Sequence, residues 1–100
     1  MDVEFKDDDM RRLYEDGGYM GKWTPHIVRN YREVITLLMS VNDTASLYRG
    51  WKGLHIEKRK DGKYKGLFSI RLNKQWRLFL DIKKQNGSEM AVVLYIKDPH

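Results

Sequence analysis

The chain has 100 residues, 41% hydrophobic and 33% charged, with a net charge of +5 and no cysteine. That length suits one domain spanning residues 1–100 around one core, and the composition excludes a disordered tail. No apolar run approaches the roughly 20 residues of a membrane span, and without cysteine there is no disulfide, thiolate metal site or cysteine nucleophile. The start, Met1-Asp2-Val3-Glu4-Phe5, has neither a basic n-region nor an apolar h-region. A cytoplasmic location without membrane contact is therefore expected.

The first expected element is a short strand at Val3 and Phe5, which alternate with acids. Asp7-Asp8-Asp9 then supplies a cap and first-turn carboxylates for a helix, rather than a metal site. Met10, Leu13 and Tyr14 give that helix its apolar face, and Gly17-Gly18 ends it. Thr24-Pro25 starts a second helix, whose buried face is Ile27, Val28, Tyr31, Val34, Ile35 and Leu38. His26, in its first turn, is expected at the surface. Val41 to Gly50 reads as a connection with a short turn at Thr44–Leu47.

From Trp51 the apolar period changes from 3.6 to 2. Leu54 and Ile56 mark one strand, and Phe68, Ile70 and Leu72 a second. Trp76, Leu78, Leu80 and Ile82 mark a third, and Val92, Leu94 and Ile96 a fourth. Turns are expected at Arg59–Lys63, Asn73–Gln75 and Gln85–Glu89. The fold class is α+β: a short N-terminal strand, two helices, then a four-stranded antiparallel meander with the helices on one side.

Charge adds a direction. Residues 1–16 hold seven acids and three bases, whereas residues 49–77 hold ten bases against Glu57 and Asp61. Such a basic segment points to a polyanion, nucleic acid first, against the plainer reading of a solvated lysine-rich hairpin. A three-residue loop at Asn73-Lys74-Gln75 pairs Leu72 with Trp76, Ile70 with Leu78 and Phe68 with Leu80. The same register sets Arg71 opposite Arg77 on the other face. Like charges there oppose pairing, so the two guanidinium groups are better explained by an anion such as phosphate. His55, on the polar side of the neighbouring strand, and His100, beyond the last strand, are placed to join that face.

Two histidines with arginines and lysines are the parts of a metal-independent ribonuclease. RNA brings its own nucleophile, the 2′-OH. The protein must supply a base, an acid and cations for the phosphorane charge. No metal and no cofactor is expected.

The segment Gly66-Leu67-Phe68-Ser69-Ile70-Arg71-Leu72-Asn73-Lys74-Gln75-Trp76-Arg77-Leu78 resembles the signature of the HigB-like toxins, plasmid-maintenance killer proteins of the RelE/ParE superfamily. Phe5, Leu13-Tyr14, Thr44–Leu47 and Leu54-His55 fall in the expected order, and Asp98-Pro99-His100 resembles the family's C-terminal Asp-Tyr-His. The resemblance implies a type II toxin that cleaves mRNA in the A site of the 30S ribosomal subunit, inhibits translation and is neutralised by a cognate antitoxin, a small helix-turn-helix protein. The free toxin is expected as a monomer. By the resemblance His55, Arg77, Asp98 and His100 are the catalytic set. Arg71, Lys58, Lys60 and Lys74 would bind RNA phosphate, with Lys58 and Lys60 competing to be the active-site lysine because the hairpin at 59–65 is longer than usual. Pro99 stands where the family has tyrosine; it can neither stack on a base nor donate a proton. Two other readings remain: a non-enzymatic toxin acting on DNA gyrase, as in the ParE branch, and a non-cleaving RNA-binding domain on the same scaffold.

Overall fold

The computed structural model describes residues 1–50 and 52–100; Trp51, where the expected change of period begins, lies outside them. Strand β1 (Asp2–Phe5) leads into helix α1 (Asp8–Glu15), capped by the Asp7 carboxylate, which accepts from the Met10 N–H. Helix α2 (Pro25–Ser40) opens on Thr24, whose hydroxyl accepts from the Ile27 N–H, with proline in its first turn. All six residues expected on its apolar face are buried. The connection at 41–50 is more ordered than expected and ends in a third helix, α3 (Thr44–Gly50), anchored in the core by Leu47.

Strands β2 (Glu57–Lys58), β3 (Phe68–Arg71), β4 (Arg77–Gln85) and β5 (Ser88–Lys97) form the expected antiparallel meander. Strand β1 adds parallel to β5, which makes a mixed five-stranded sheet in the order β1-β5-β4-β3-β2. The helix-facing side of the sheet packs Ile70, Leu78, Leu80, Val93 and Ile96 against α1 and α2. The β4–β5 turn places Asn86 and Gly87 at φ 51° and 81°, the left-handed pair that a two-residue hairpin turn requires.

Two expectations are corrected. Leu54, His55 and Ile56 are not a strand: Lys52–Leu54 is a 3₁₀ turn, His55 has φ 49°, and β2 begins only at Glu57. Leu54 and Ile56 still pack on the core with His55 exposed between them, so a kinked segment gives the same alternation as a strand. In β5 the register shifts between the partners of Phe79 and Leu80, which pair with Tyr95 and Val93. That bulge at Leu94 reverses parity. The inward residues are therefore Ala91, Val93 and Ile96, not Val92, Leu94 and Ile96.

The helical layer is tied together by Arg32 of α2. Its Nε donates to the Leu13 carbonyl at 2.9 Å, and its Nη2 donates to the carbonyls of Asp16 and Tyr19 at 3.0 and 3.2 Å. One cation thus serves a carbonyl in the last turn of α1, where the helix dipole is negative, and two in the chain that follows it. Replacing Arg32 by methionine keeps the aliphatic stem and removes these bonds. Thermal or urea unfolding should register a loss of about 2 kcal/mol, the scale of charge-assisted hydrogen bonds. An unchanged midpoint would show that water serves those carbonyls equally well.

Candidate active site

The β3–β4 hairpin has the register expected from its sequence: Phe68 pairs with Leu80, Ile70 with Leu78 and Arg71 with Arg77. The Leu72 N–H donates to the Trp76 carbonyl at 3.0 Å, closing the three-residue loop. Inside the loop, Asn73 Oδ1 accepts from the N–H groups of Gln75 and Trp76 at 2.8 and 2.7 Å, a side chain imitating a backbone turn. Helix α2 and the segment before it hold this hairpin from behind. Asn30 donates its amide to the Leu72 carbonyl at 2.8 Å, and the Trp23 ring meets Trp76 edge-on at 4.9 Å.

On the opposite side of the sheet the register extends by one strand, because Arg77 also pairs with Lys97. Arg71, Arg77 and Lys97 form a row of three cations across β3, β4 and β5. Lys97 was missed in the sequence, although it shares the outward parity of Tyr95. What could not be read there was which residue of β4 it would face.

The expected repulsion between Arg71 and Arg77 is avoided, because the two side chains diverge. Arg77 turns back along its own loop, and its Nη1 donates to the Asn73 carbonyl at 2.6 Å and to the Trp76 carbonyl at 3.3 Å. Arg71 instead reaches the other way, with Nη1 3.4 Å from His55 Nε2. A guanidinium can only donate, so that imidazole nitrogen accepts. His55 therefore joins the arginine face from a left-handed turn, not from a strand as expected. Histidine is among the non-glycine residues that tolerate this conformation.

The tail reaches the same loop from the other end. Gln75 donates its side-chain amide to Asp98 Oδ2 at 3.1 Å. Asp98 Oδ1 accepts from the His100 backbone N–H at 2.9 Å and from His100 Nδ1 at 2.7 Å. With Nδ1 committed to the carboxylate, Nε2 is the ring nitrogen left for other partners. These contacts, led by the His100 backbone N–H and then its ring, hold the Asp98 carboxyl below the ordinary range.

The remaining expected residues separate. Lys74 is exposed at the tip of the β3–β4 loop, beside the cation row. Lys58 pairs with Phe68, which turns it to the helix side of the sheet with its ammonium 5.6 Å from the Phe68 ring. Lys60 is exposed beyond β2. Lys58 therefore stands on the opposite face from Arg71 and Arg77. His26 is exposed as expected, beside Arg29 and Asn30.

The site is thus a cationic row on the open face of an α+β sheet, flanked by two histidines. A family model described as the RelE-like toxin of the type II toxin-antitoxin system HigB matches residues 3–100, and the chain belongs to that family. A type II toxin has a cognate antitoxin as its partner. Among solved structures, the YoeB/ParE toxin from Agrobacterium tumefaciens is similar over 100% of both chains, with a TM-score of 0.56 and 15% identity, which supports the fold. No protein of curated function matches the chain.

Two outcomes follow from this geometry. Arg77→Ala should cost about 1 kcal/mol in urea unfolding, since the Asn73 carbonyl loses its guanidinium donor while the Trp76 carbonyl keeps those of Leu72 and Asn73; an unchanged or raised midpoint would restore the repulsion account. The clasp at Asp98 should be acid-labile. Its carboxyl is depressed from an unfolded value of about 3.9, so its contribution is present above that value and lost as pH falls through the lower folded one. Side-chain NMR signals of Gln75 and His100 should move together in that acid window, and independent titrations would refute the clasp.

Proposed function

We propose that this toxin is an endoribonuclease that cuts mRNA in the ribosomal A site and so stops translation. The observation that supports this best is the cation row Arg71–Arg77–Lys97 with a histidine at each end, His55 on Arg71 and His100 on Asp98. His55 suits the base that takes the proton of the RNA 2′-OH once Arg71 turns from its Nε2 to the phosphate, because that nitrogen carries the ring's one lone pair. The 2′-oxygen then attacks the adjacent phosphorus and the bond to the 5′-oxygen breaks, leaving a 2′,3′-cyclic phosphate. His100 Nε2 suits the acid that returns a proton to the leaving 5′-oxygen. Arg71, Arg77 and Lys97 counter the charge that builds on the phosphorane. Lys74 and Lys60 extend the basic approach around the row, while Lys58 is a less favourable active-site lysine because of the face it occupies.

Pro99 leaves the tail without the tyrosine of the related toxins, and the proton transfers fall to the histidines. The site is an open sheet face rather than a closed cleft, so the ribosome must position the message and exclude water. The protein is therefore expected to cut mRNA on ribosomes but not free RNA, and to act as a monomer inside the cytoplasm.

Expression without the antitoxin should arrest growth with mRNA cuts that map to ribosomal A sites. Deleting residues 98–100, or making His100→Ala, should leave a folded, antitoxin-binding protein, since Val93 and Ile96 hold β5 from upstream. Cleavage should fall by about 10²–10⁴-fold, the usual contribution of a general acid or base. Undiminished killing by both variants would remove the tail from the chemistry. Arrest with intact mRNA and blocked DNA supercoiling would favour a gyrase poison instead.

A further inference from the structure

The chain between β2 and β3 folds back over the face of the sheet opposite the helices. The Arg59 N–H donates to the Leu67 carbonyl at 2.8 Å and the Gly66 N–H to the Arg59 carbonyl at 2.9 Å. This brings Tyr64 onto Phe79, with ring centroids 4.3 Å apart and planes inclined by 24°. Tyr95 completes the group, 5.6 Å from Phe79 and 6.4 Å from Tyr64. Phe79 is fully buried beneath, whereas Tyr64 and Tyr95 are only half-buried.

Two features exceed what a structural plug requires. Each ring has its own cation: Lys63 Nζ is 5.2 Å from Tyr64, the Arg59 guanidinium 5.7 Å from Phe79, and Lys97 Nζ 5.7 Å from Tyr95. The hydroxyls differ too. Those of Tyr14, Tyr19 and Tyr31 are hydrogen-bonded within the protein, but among the described residues those of Tyr64 and Tyr95, like that of the exposed Tyr48, have no partner. The position also matters. Phe79 and Tyr95 pair with each other, two residues along from the Arg77–Lys97 pair on the same face. Two residues of strand span about 6.8 Å, so a flat ligand on the rings leaves an attached phosphate within reach of the cation row.

We propose that Tyr64 and Tyr95 form a stacking subsite for one nucleobase of single-stranded RNA, next to a phosphate held by Arg77 and Lys97. Aromatic faces beside a basic track are the general means of holding single strands, tolerant of base identity. The inference rests on RNA being the substrate, but it concerns binding and not cleavage. The subsite would set where along the strand the message is gripped relative to the row that meets the scissile phosphate.

The test uses a single-stranded RNA, 2′-O-methylated throughout so that it cannot be cut, with one 2-aminopurine. At low ionic strength the full chain should bind it and quench the 2-aminopurine, as stacking does. Tyr64→Leu and Tyr95→Leu keep apolar bulk but lose the π face; each should lose most of the quenching and bind about tenfold more weakly. Tyr64→Phe and Tyr95→Phe should retain both, which separates stacking from a merely folded hairpin and remains informative if a leucine variant is unstable. No binding by the parent, binding without quenching, or full quenching in both leucine variants would overturn the subsite. Ribosomal mRNA cleavage, measured in parallel, reports on the nuclease reading alone. Quenching without cleavage would reject only that reading, and cleavage without quenching only the subsite.

Discussion

The register of the β3–β4 hairpin is the constraint on which the rest of the site depends. Ile70 opposite Leu78 and Phe68 opposite Leu80 put these four apolar side chains on the helix side, while Phe79 faces the other way beneath Tyr64. A slip of one residue would bury Arg71 and Arg77 in the core, so hydrophobic burial enforces the register. The arginines come to the open face as a consequence of where the leucines must go. Helix α2 and the segment before it reinforce the choice from behind, with Asn30 on the Leu72 carbonyl and Trp23 against Trp76. The cationic face is thus specified by packing on the opposite face.

That open face is itself divided. One row carries charge, Arg71, Arg77 and Lys97, and the next carries Ser69, Phe79 and Tyr95 under the hairpin that brings Tyr64. Ser69 is fully buried there, and Arg59 donates from its Nε to the Ser69 hydroxyl at 3.1 Å, so the polar atom is not orphaned. The long hairpin therefore seals half of the sheet and leaves the other half exposed. A sheet covered on both faces gains rigidity, and rigid strands are what hold cations at fixed spacing.

Much of this was legible in the sequence because two short-range codes dominate. Thr24-Pro25 and the Asp7 cap are local, and they start α1 and α2 where the sequence says. The alternation in Phe68–Leu80 fixes the hairpin register, and with it the opposition of Arg71 and Arg77. The losses come from non-local geometry. The bulge at Leu94 leaves a run of apolar residues whose parity changes midway, and Val92-Val93-Leu94 reads equally well in either phase. His55 sits between two core-facing residues, which satisfies a strand pattern without a strand's hydrogen bonds. Phe79, fully buried on the side expected to be polar, needs Tyr64 to cover it, and Tyr64 arrives from a loop whose path no periodicity records. The reach of Arg77 to Asn73 is a side-chain choice that register alone does not determine.

The direction of Arg77 changes how the site must work. A guanidinium that holds two backbone carbonyls presents fewer of its five donors to a ligand. The same bonds fix its position, so little side-chain freedom is left to lose when an anion arrives. Asp98 acts likewise on the tail, committing His100 Nδ1 and anchoring the segment to Gln75. Both anchors converge on Asn73–Gln75, whose shape is held by Asn73 Oδ1. One short loop thus sets the orientation of a cation and of a histidine that come from different parts of the chain. On the proposed nuclease reading, a disturbance of the loop would misplace both together, and the loss of cleavage would not be the sum of the two single losses, because effects on a shared transition state are not independent.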